Sequence, residues 1–217
     1  MTILDLCAYL GLAAVGTATL NMVLGLLIAL RYSPVRLWPH RHLNIFRLHN
    51  WTAYFVLLLI VLHPAVLLIG GSTHFGLADV LLPIQSPVQP KLNTVGAAAF
   101  YVLLIVIVTS LLRLRMARPL WRKLHYLVFP AFVLMFIHSV FTDPALSNGK
   151  VDLLDGGKVF VQICGAISLA TWVVRIGLRG RGFRAAGPSR PSEFLDATEQ
   201  GHFDSAQDAN LDRVADS

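Results

Sequence analysis

The chain has 217 residues, of which 55% are hydrophobic and only 14% are charged, and its formal net charge is +6. A soluble domain of this length is rarely so apolar, and the length leaves no room for a membrane bundle together with a second large soluble domain. The basic excess in such a chain indicates orientation in a bilayer, not nucleic-acid binding. We therefore predict an all-α, polytopic membrane helix bundle.

Five long apolar runs follow one another along the chain, each close to the roughly 20 residues that a spanning helix needs. They cover residues 3–30, 48–69, 94–112, 120–141 and 159–178. Backbone groups in lipid must be paired internally, and none of the runs alternates with a period of two. The sequence therefore predicts transmembrane helices and not barrel strands.

The first run begins without a basic segment, carries Asp5 near its start and is too long for a signal peptide, so we interpret it as a helix of the mature protein. Its glycines Gly11, Gly16 and Gly25 suit close packing against neighbouring helices. The two cysteines of the chain lie far apart in apolar stretches without metal-type spacing, and we predict that both are small buried residues.

Basic residues collect in alternate links between the runs. They are Arg31, Arg36, Arg41 and Arg47 in the first link, Arg113, Arg115 and Arg118 in the third, and Arg175, Arg179, Arg181 and Arg184 at the end of the fifth run and beyond it. The positive-inside rule then places the N-terminus outside and the C-terminus in the cytoplasm, in a bacterial inner (plasma) membrane. We expect residues 1–182 to form the bundle and residues 183–217 to form a disordered, polar cytoplasmic tail.

Two of the runs carry a pair of histidines each. His49 and His63 are 14 residues apart in the second run, and His125 and His138 are 13 residues apart in the fourth. At about 1.5 Å per residue, each pair is separated by roughly 20 Å along its helix. Both runs are predicted to travel from inside to outside, so His49 lies level with His125 near the inner face and His63 lies level with His138 near the outer face.

Histidines at matched depths in a bilayer indicate metal ligation. Ionisable side chains there are costly and are functional by default, and neutral imidazole is a good ligand for iron. A haem between two helices needs one axial ligand from each. We predict two b haems, the inner one on His49 and His125 and the outer one on His63 and His138. Both axial positions are then filled, which favours outer-sphere electron transfer, and no catalytic residue is predicted.

Other interpretations of the four histidines stay open at this point. A buried histidine is often a hydrogen-bonded packing residue, although four at matched depths are hard to explain in that way. Zinc is disfavoured because no carboxylate or thiolate lies nearby to complete a tetrahedral site. A non-redox proton or metal transporter is the alternative of another class, although proton relays usually include Asp or Glu inside the membrane.

The 13-residue step between His125 and His138 does not return to the same face of a regular helix, which turns by about 100° per residue. Pro130 lies between the two histidines. We expect this proline to distort the helix, so that both imidazoles face the interior of the bundle.

The pattern of histidines and their neighbours resembles that of a known family. The matching segments are Leu48-His49, Leu62-His63, Trp121-Arg122-Lys123-Leu124-His125 and Ile137-His138, with Thr109-Ser110 followed by Arg113, and Asn21 followed by Arg31. Over about residues 10 to 178 the chain resembles the ferric reductase-like transmembrane family, which includes NADPH oxidases, ferric-chelate reductases and short bacterial members. The resemblance implies a bundle of five or six helices, two stacked b haems, and electron flow from a cytoplasmic reductant to an outer acceptor.

The resemblance also has departures. The oxidases and ferric-chelate reductases carry flavin and nucleotide domains after the bundle, so we expect an oxidoreductase component that draws electrons from a separate cytoplasmic flavoprotein reductase or from membrane quinol. Leu67 stands where oxygen-reducing members often have another histidine, which weakens a superoxide-producing interpretation. The chain is also similar to the haem-binding membrane subunit of the periplasmic methionine sulfoxide reductase system, which is an alternative function.

Anionic haem propionates need cationic or amide partners. Of the basic residues near the predicted inner site, Arg47 and Arg122 are the strongest candidates, because they precede His49 and His125 by two and three residues respectively. The alternative for each is orientation charge and contact with lipid headgroups.

Overall fold

The structure, a computed structural model, describes residues 2–30, 44–69, 75–143, 145 and 149–185, and for residues 178–185 it describes the backbone helix alone. Contacts divide the chain into two units, Met1–Arg175 and Ile176–Ser217. The first unit holds the bundle. The described part of the second is the helical continuation to Ala185, so the helix passes the predicted boundary at residue 182. The rest of the predicted tail lies outside the described residues.

The described residues form helices and no strands, as the composition predicts. In chain order the helices are α1 (Ile3–Ala29), α2 (Ile45–Ala65, prolonged by a 3-10 turn over Val66–Leu68), α3 (Leu77–Leu81), α4 (Pro90–Leu111), α5 (Arg118–His125), α6 (Val128–Phe141) and α7 (Gly156–Ala185). Five segments of the described chain are long and apolar enough to cross a membrane: α1, α2 with its extension, α4, α5 together with α6, and α7 as far as Gly177. The predicted all-α membrane bundle is confirmed.

The first two spans begin at side-chain caps. The Thr2 hydroxyl accepts the N–H of Asp5 at 3.1 Å, and the Asp5 carboxylate accepts the N–H of Thr2 at 2.6 Å. This reciprocal capping box pairs N–H groups that have no partner within the helix. The Asn44 side chain likewise accepts the N–H of Arg47 at 3.1 Å at the start of α2.

The fourth span is broken between α5 and α6, beginning at Tyr126. Pro130 has no N–H to donate, and in a regular helix its ring would collide with the carbonyl four residues earlier, which is that of Tyr126. This carbonyl instead accepts the N–H of Phe129 at 3.2 Å. Such a 3-10 turn rotates the chain by about 120° per residue instead of about 100°. The distortion thus lies one turn before the proline and changes the phase between the two histidines of this span.

The bundle is held by close helix pairs. Helix α1 packs along α2, and α4 packs along α6. Helix α7 approaches both α1 and α6 at glycines: a Cβ atom on Gly16 would lie 2.9 Å from the Phe160 ring, and one on Gly165 would lie 2.5 Å from the Phe136 ring. Only glycine permits this approach, and without water such helices associate through packing of small residues.

Candidate functional site

The structure brings the four histidines together as two pairs. The ring centroids of His49 and His125 are 6.4 Å apart, and those of His63 and His138 are 6.2 Å apart. We call these the inner pair and the outer pair, after the orientation that the loop charges predict. The pairing requires that α2 runs in the same direction as α5 and α6. The rings cross at 69° in the inner pair and 80° in the outer pair, so neither pair is stacked face to face.

The separation of each pair fits two axial ligands of one metal ion. A metal–imidazole nitrogen bond is about 2 Å long, and the ring centre lies about 1 Å beyond the nitrogen, so two opposed ligands place their ring centres about 6 Å apart. Among the described residues, no group of three or more His, Cys, Asp or Glu side chains could hold a metal ion. A porphyrin supplies four equatorial nitrogens itself and needs only the two imidazoles.

Hydrogen bonds orient three of the four imidazoles. The Nδ1 atoms of His49, His63 and His138 lie 3.1, 2.8 and 2.8 Å from the backbone carbonyl oxygens of Asn21, Cys7 and Leu92. A carbonyl oxygen can only accept, so each Nδ1 carries the proton and donates it. Each Nε2 is then left with a lone pair for a metal, which is the arrangement that orients metal-bound histidines in proteins.

His125 reaches the same tautomer by a different route. Its Nδ1 lies 3.2 Å from the hydroxyl oxygen of Ser110, and that hydroxyl donates its own proton to the Val106 carbonyl at 2.7 Å. Because the hydroxyl hydrogen is already used, the oxygen accepts from Nδ1. All four imidazoles therefore have a hydrogen-bond partner on the helix behind them, α1 for the α2 histidines and α4 for the α5 and α6 histidines.

Glycines make room for three of these imidazoles. A Cβ atom on Gly11 would lie 3.0 Å from His63 Cε1, one on Gly96 would lie 2.9 Å from His138 Cε1, and one on Gly25 would lie 3.4 Å from the His49 ring. Each glycine comes four residues after the residue whose carbonyl accepts the Nδ1 proton, so the missing side chain uncovers that carbonyl. Ser110 is the counterpart behind His125, where its hydroxyl stands in for the carbonyl.

The histidines of α2, and the glycines and the serine behind the imidazoles on α1 and α4, belong to sets of residues spaced by seven, which is about two helical turns. The positions are Gly11, Ala18 and Gly25 on α1, His49, Val56 and His63 on α2, and Gly96, Leu103 and Ser110 on α4. The middle member of each set is buried, and so is Phe132, which lies between the two histidines of the fourth span. An apolar layer therefore separates the two pairs. The glycines of the first span were predicted to assist helix packing. Their location behind the imidazoles depends on how α1 is aligned along α2.

Trp121 lies beside the inner pair. Its ring stacks on His125, with centroids 5.2 Å apart and planes inclined at 27°. Its Nε1–H is buried and has no hydrogen-bond partner in the described part of the chain. A buried unpaired donor is costly, so this atom is available to an anionic acceptor, and a haem propionate has that chemistry. The imidazole spacing, the tautomers and the glycines behind the imidazoles fit a haem at each pair, and the Trp121 donor fits a haem at the inner pair.

The two arginines predicted as propionate partners, Arg47 and Arg122, are both exposed. Their role stays a prediction. The residues of the first link named above, Arg31, Arg36 and Arg41, lie outside the described residues.

Two cations that the sequence did not single out as site residues lie next to the histidine pairs. The Lys158 ammonium donates to the Ser139 carbonyl, directly after His138, and Arg175 donates to the hydroxyl of Tyr126, directly after His125. Both belong to α7. The sequence offered no signal for them beyond a lysine directly before the fifth apolar run and an arginine within that run, where ionisable residues are rare.

Comparison with known proteins identifies a family for the chain. A family model described as the ferric reductase like transmembrane component matches residues 14–136, more than half of the chain, and the matched range includes His49, His63 and His125. No curated protein and no solved structure matches the chain. The family supports electron transfer across a membrane as the general activity. From its matched span, the chain belongs to the ferric reductase-like transmembrane family.

Proposed function

We propose that the protein is a di-haem cytochrome b that moves single electrons across a bacterial inner membrane, from the cytoplasmic side to an acceptor outside. The observation that carries this proposal is the spacing of the two histidine pairs, with ring centroids 6.4 and 6.2 Å apart. A haem held by each pair would supply a one-electron ferric/ferrous couple.

The chain's own residues hold the ligands and keep their surroundings dry. Each Nδ1–H is fixed by an oxygen on the helix behind it, so each Nε2 is directed away from that helix and keeps its lone pair. The apolar layer between the pairs, formed by Ala18, Val56, Leu103 and Phe132, keeps water from the path between them. Trp121 Nε1 would be available as a donor to a propionate of the inner haem.

The partners follow from the direction of electron flow. His49 with His125 and His63 with His138 would hold the irons from both sides, which would leave no place for a substrate on iron and would favour outer-sphere electron transfer. The donor is a separate cytoplasmic flavoprotein reductase or membrane quinol, and the acceptor is a ferric chelate or an oxidoreductase outside. The N-terminus then lies outside and the C-terminus in the cytoplasm, as the basic links indicate.

A second candidate, the haem-binding membrane subunit of a periplasmic methionine sulfoxide reductase system, differs in its acceptor and not in its site. Oxidation of the reduced protein by ferric chelate or by a periplasmic oxidoreductase, measured by stopped flow, separates the two. A non-redox transporter is disfavoured because every Nδ1 is already donated to a fixed oxygen, which leaves the imidazoles poorly placed to relay protons.

An absorption spectrum tests the central claim. Protein purified after expression with ample haem should show split b-type bands on reduction with dithionite, and a pyridine haemochrome assay should find two haems per chain. A folded but colourless protein would rule out the cytochrome.

Replacement of single histidines tests the pairing. His63→Ala should remove the outer haem and leave the inner one, and His49→Ala should do the reverse. His74→Ala, which leaves both pairs intact, is the matched control and should retain both haems. Loss of neither haem in His63→Ala would show that the pairs are not the ligands.

A further inference from the structure

Helix α7 carries a polar residue at each end of its buried face. Lys158, Val161, Ser168 and Thr171 are all buried, and Arg175 follows in the same helical register. Lys158 and Arg175 are 17 residues apart, which is about 25 Å along a helix. This length is close to the separation of the two histidine pairs. Charged side chains within membrane spans are costly, so two cations at these depths call for an explanation.

Lys158 lies at the outer pair. Its side chain is only 6% exposed, and its ammonium donates to the Ser139 carbonyl at 2.7 Å and to the Thr142 carbonyl at 2.6 Å. These carbonyls belong to the last turn of α6 and to its C-cap residue, where backbone oxygens lack helical partners and the helix end is negative. The Thr142 hydroxyl oxygen is itself 3.3 Å from His138 Nδ1. The positive charge is therefore fixed one residue from a ligand of the outer pair.

Arg175 contacts the residue that follows a ligand of the inner pair. Its guanidinium donates to the Tyr126 hydroxyl at 3.2 Å, and Tyr126 follows His125 directly. Asp155, whose carboxylate accepts the N–H of Gly157, lies three residues before Lys158 in the chain.

We propose that α7 places one fixed positive charge beside each histidine pair, and that Lys158 and Arg175 set the reduction potentials of the outer and inner haems separately. This inference rests on the proposed function, since it needs a haem at each pair. Both residues are positioning residues: they hold a charge near the haem and take no part in ligation.

The sign of the effect follows from charge. Reduction adds one negative charge to a haem, and a nearby cation stabilises the reduced form more than the oxidised form. Removing the cation therefore lowers the reduction potential. In a membrane interior such charges are poorly screened, and we expect the ratio of reduced to oxidised haem at a fixed potential to fall on the order of tenfold. For a one-electron couple, tenfold is 59 mV.

Spectroelectrochemical titration of matched variants tests the proposal. Lys158→Met removes the charge and keeps the aliphatic stem, and it should lower the potential of the outer haem alone. Lys158→Arg should restore most of it. Arg175→Met should lower the potential of the inner haem alone. The haem that survives in His63→Ala identifies which potential belongs to the inner site.

The outcomes separate this inference from the proposed function. Wild-type protein without haem would remove the proposed function. Two haems with unaltered potentials in both methionine variants, or equal shifts of both haems in each variant, would overturn only the inference. If Lys158→Met fails to assemble, Lys158→Gln decides, because its amide can still donate to the Ser139 and Thr142 carbonyls while the positive charge is lost. The outer potential should then fall, and an unchanged value would overturn the proposal.

Discussion

Glycine at position 96 is the most sensitive part of the outer site. A Cβ atom there would lie 2.9 Å from both Cε1 and Nδ1 of His138 and 3.0 Å from Cγ. Ordinary van der Waals contacts begin at about 3.4 Å, so Gly96→Ala forces the imidazole to move by about half an ångström. The ring cannot move freely, because its Nδ1 donates to the Leu92 carbonyl at 2.8 Å on the same helix.

The expected cost combines three terms. Overpacking costs about 1–3 kcal/mol. Loss of the hydrogen bond to Leu92 adds about 1 kcal/mol. Alanine in place of glycine stabilises the helix by about 1 kcal/mol and offsets the second term. The net loss is about 1–3 kcal/mol, which is about 5- to 150-fold in the affinity for the outer haem.

The matched control is Gly25→Ala. Its Cβ atom would lie 3.4 Å from His49 Cε1, an ordinary contact, so the affinity for the inner haem should stay within about twofold of wild type. Haem is titrated into haem-free protein in detergent, and the split b-type bands of the reduced protein report each site. Gly96→Ala should weaken the outer site and spare the inner one.

Two results would refute the reasoning. The first is an outer haem affinity in Gly96→Ala equal to that of wild type. The second is an equal loss at the inner site in Gly25→Ala, since the contact distances would then have no bearing on ligand placement.

Three further predictions concern residues around the inner pair. Ser110→Ala removes the acceptor of the His125 Nδ1 proton and should weaken binding of the inner haem about 3- to 20-fold. Ser110→Gly uncovers the Val106 carbonyl as a replacement acceptor and should largely preserve the affinity for the inner haem. Haem titration checks both variants, and equal affinities in the two would contradict the role of this acceptor. Asn21→Leu removes donations to the His49 carbonyl and to the Thr52 hydroxyl and should lower the free energy of unfolding by about 1 kcal/mol, measured in detergent with haem-free protein; unchanged stability would contradict it. Trp121→Phe keeps the stacking but removes the unpaired Nε1–H, so haem-free protein should be no less stable while the inner haem binds about fivefold more weakly; unaltered binding would exclude the contact with a propionate.

Much of the bundle followed from local properties of the chain. The apolar runs fixed the number and approximate bounds of the spans in the described residues, because the bilayer imposes a length and forbids unpaired backbone groups. The four histidines were also identified from the sequence, because imidazole inside such a run is rare and the intervals of 14 and 13 residues correspond to one membrane depth on each helix. The distortion between His125 and His138 was expected from Pro130, although its location at Tyr126 depends on which carbonyl the proline leaves without a donor.

The surroundings of the histidines required the tertiary structure. Gly11, Gly25 and Gly96 lie on helices other than those of the imidazoles they accommodate, and the residue pattern within one helix does not show its register against another. The same holds for the contact of Lys158 with the end of α6. The apolar runs thus indicated which residues form the spans, and the histidine intervals indicated their relative depths, because those are properties of single helices. Which helix stands behind each imidazole, and which cation lies beside it, was decided only when the helices packed.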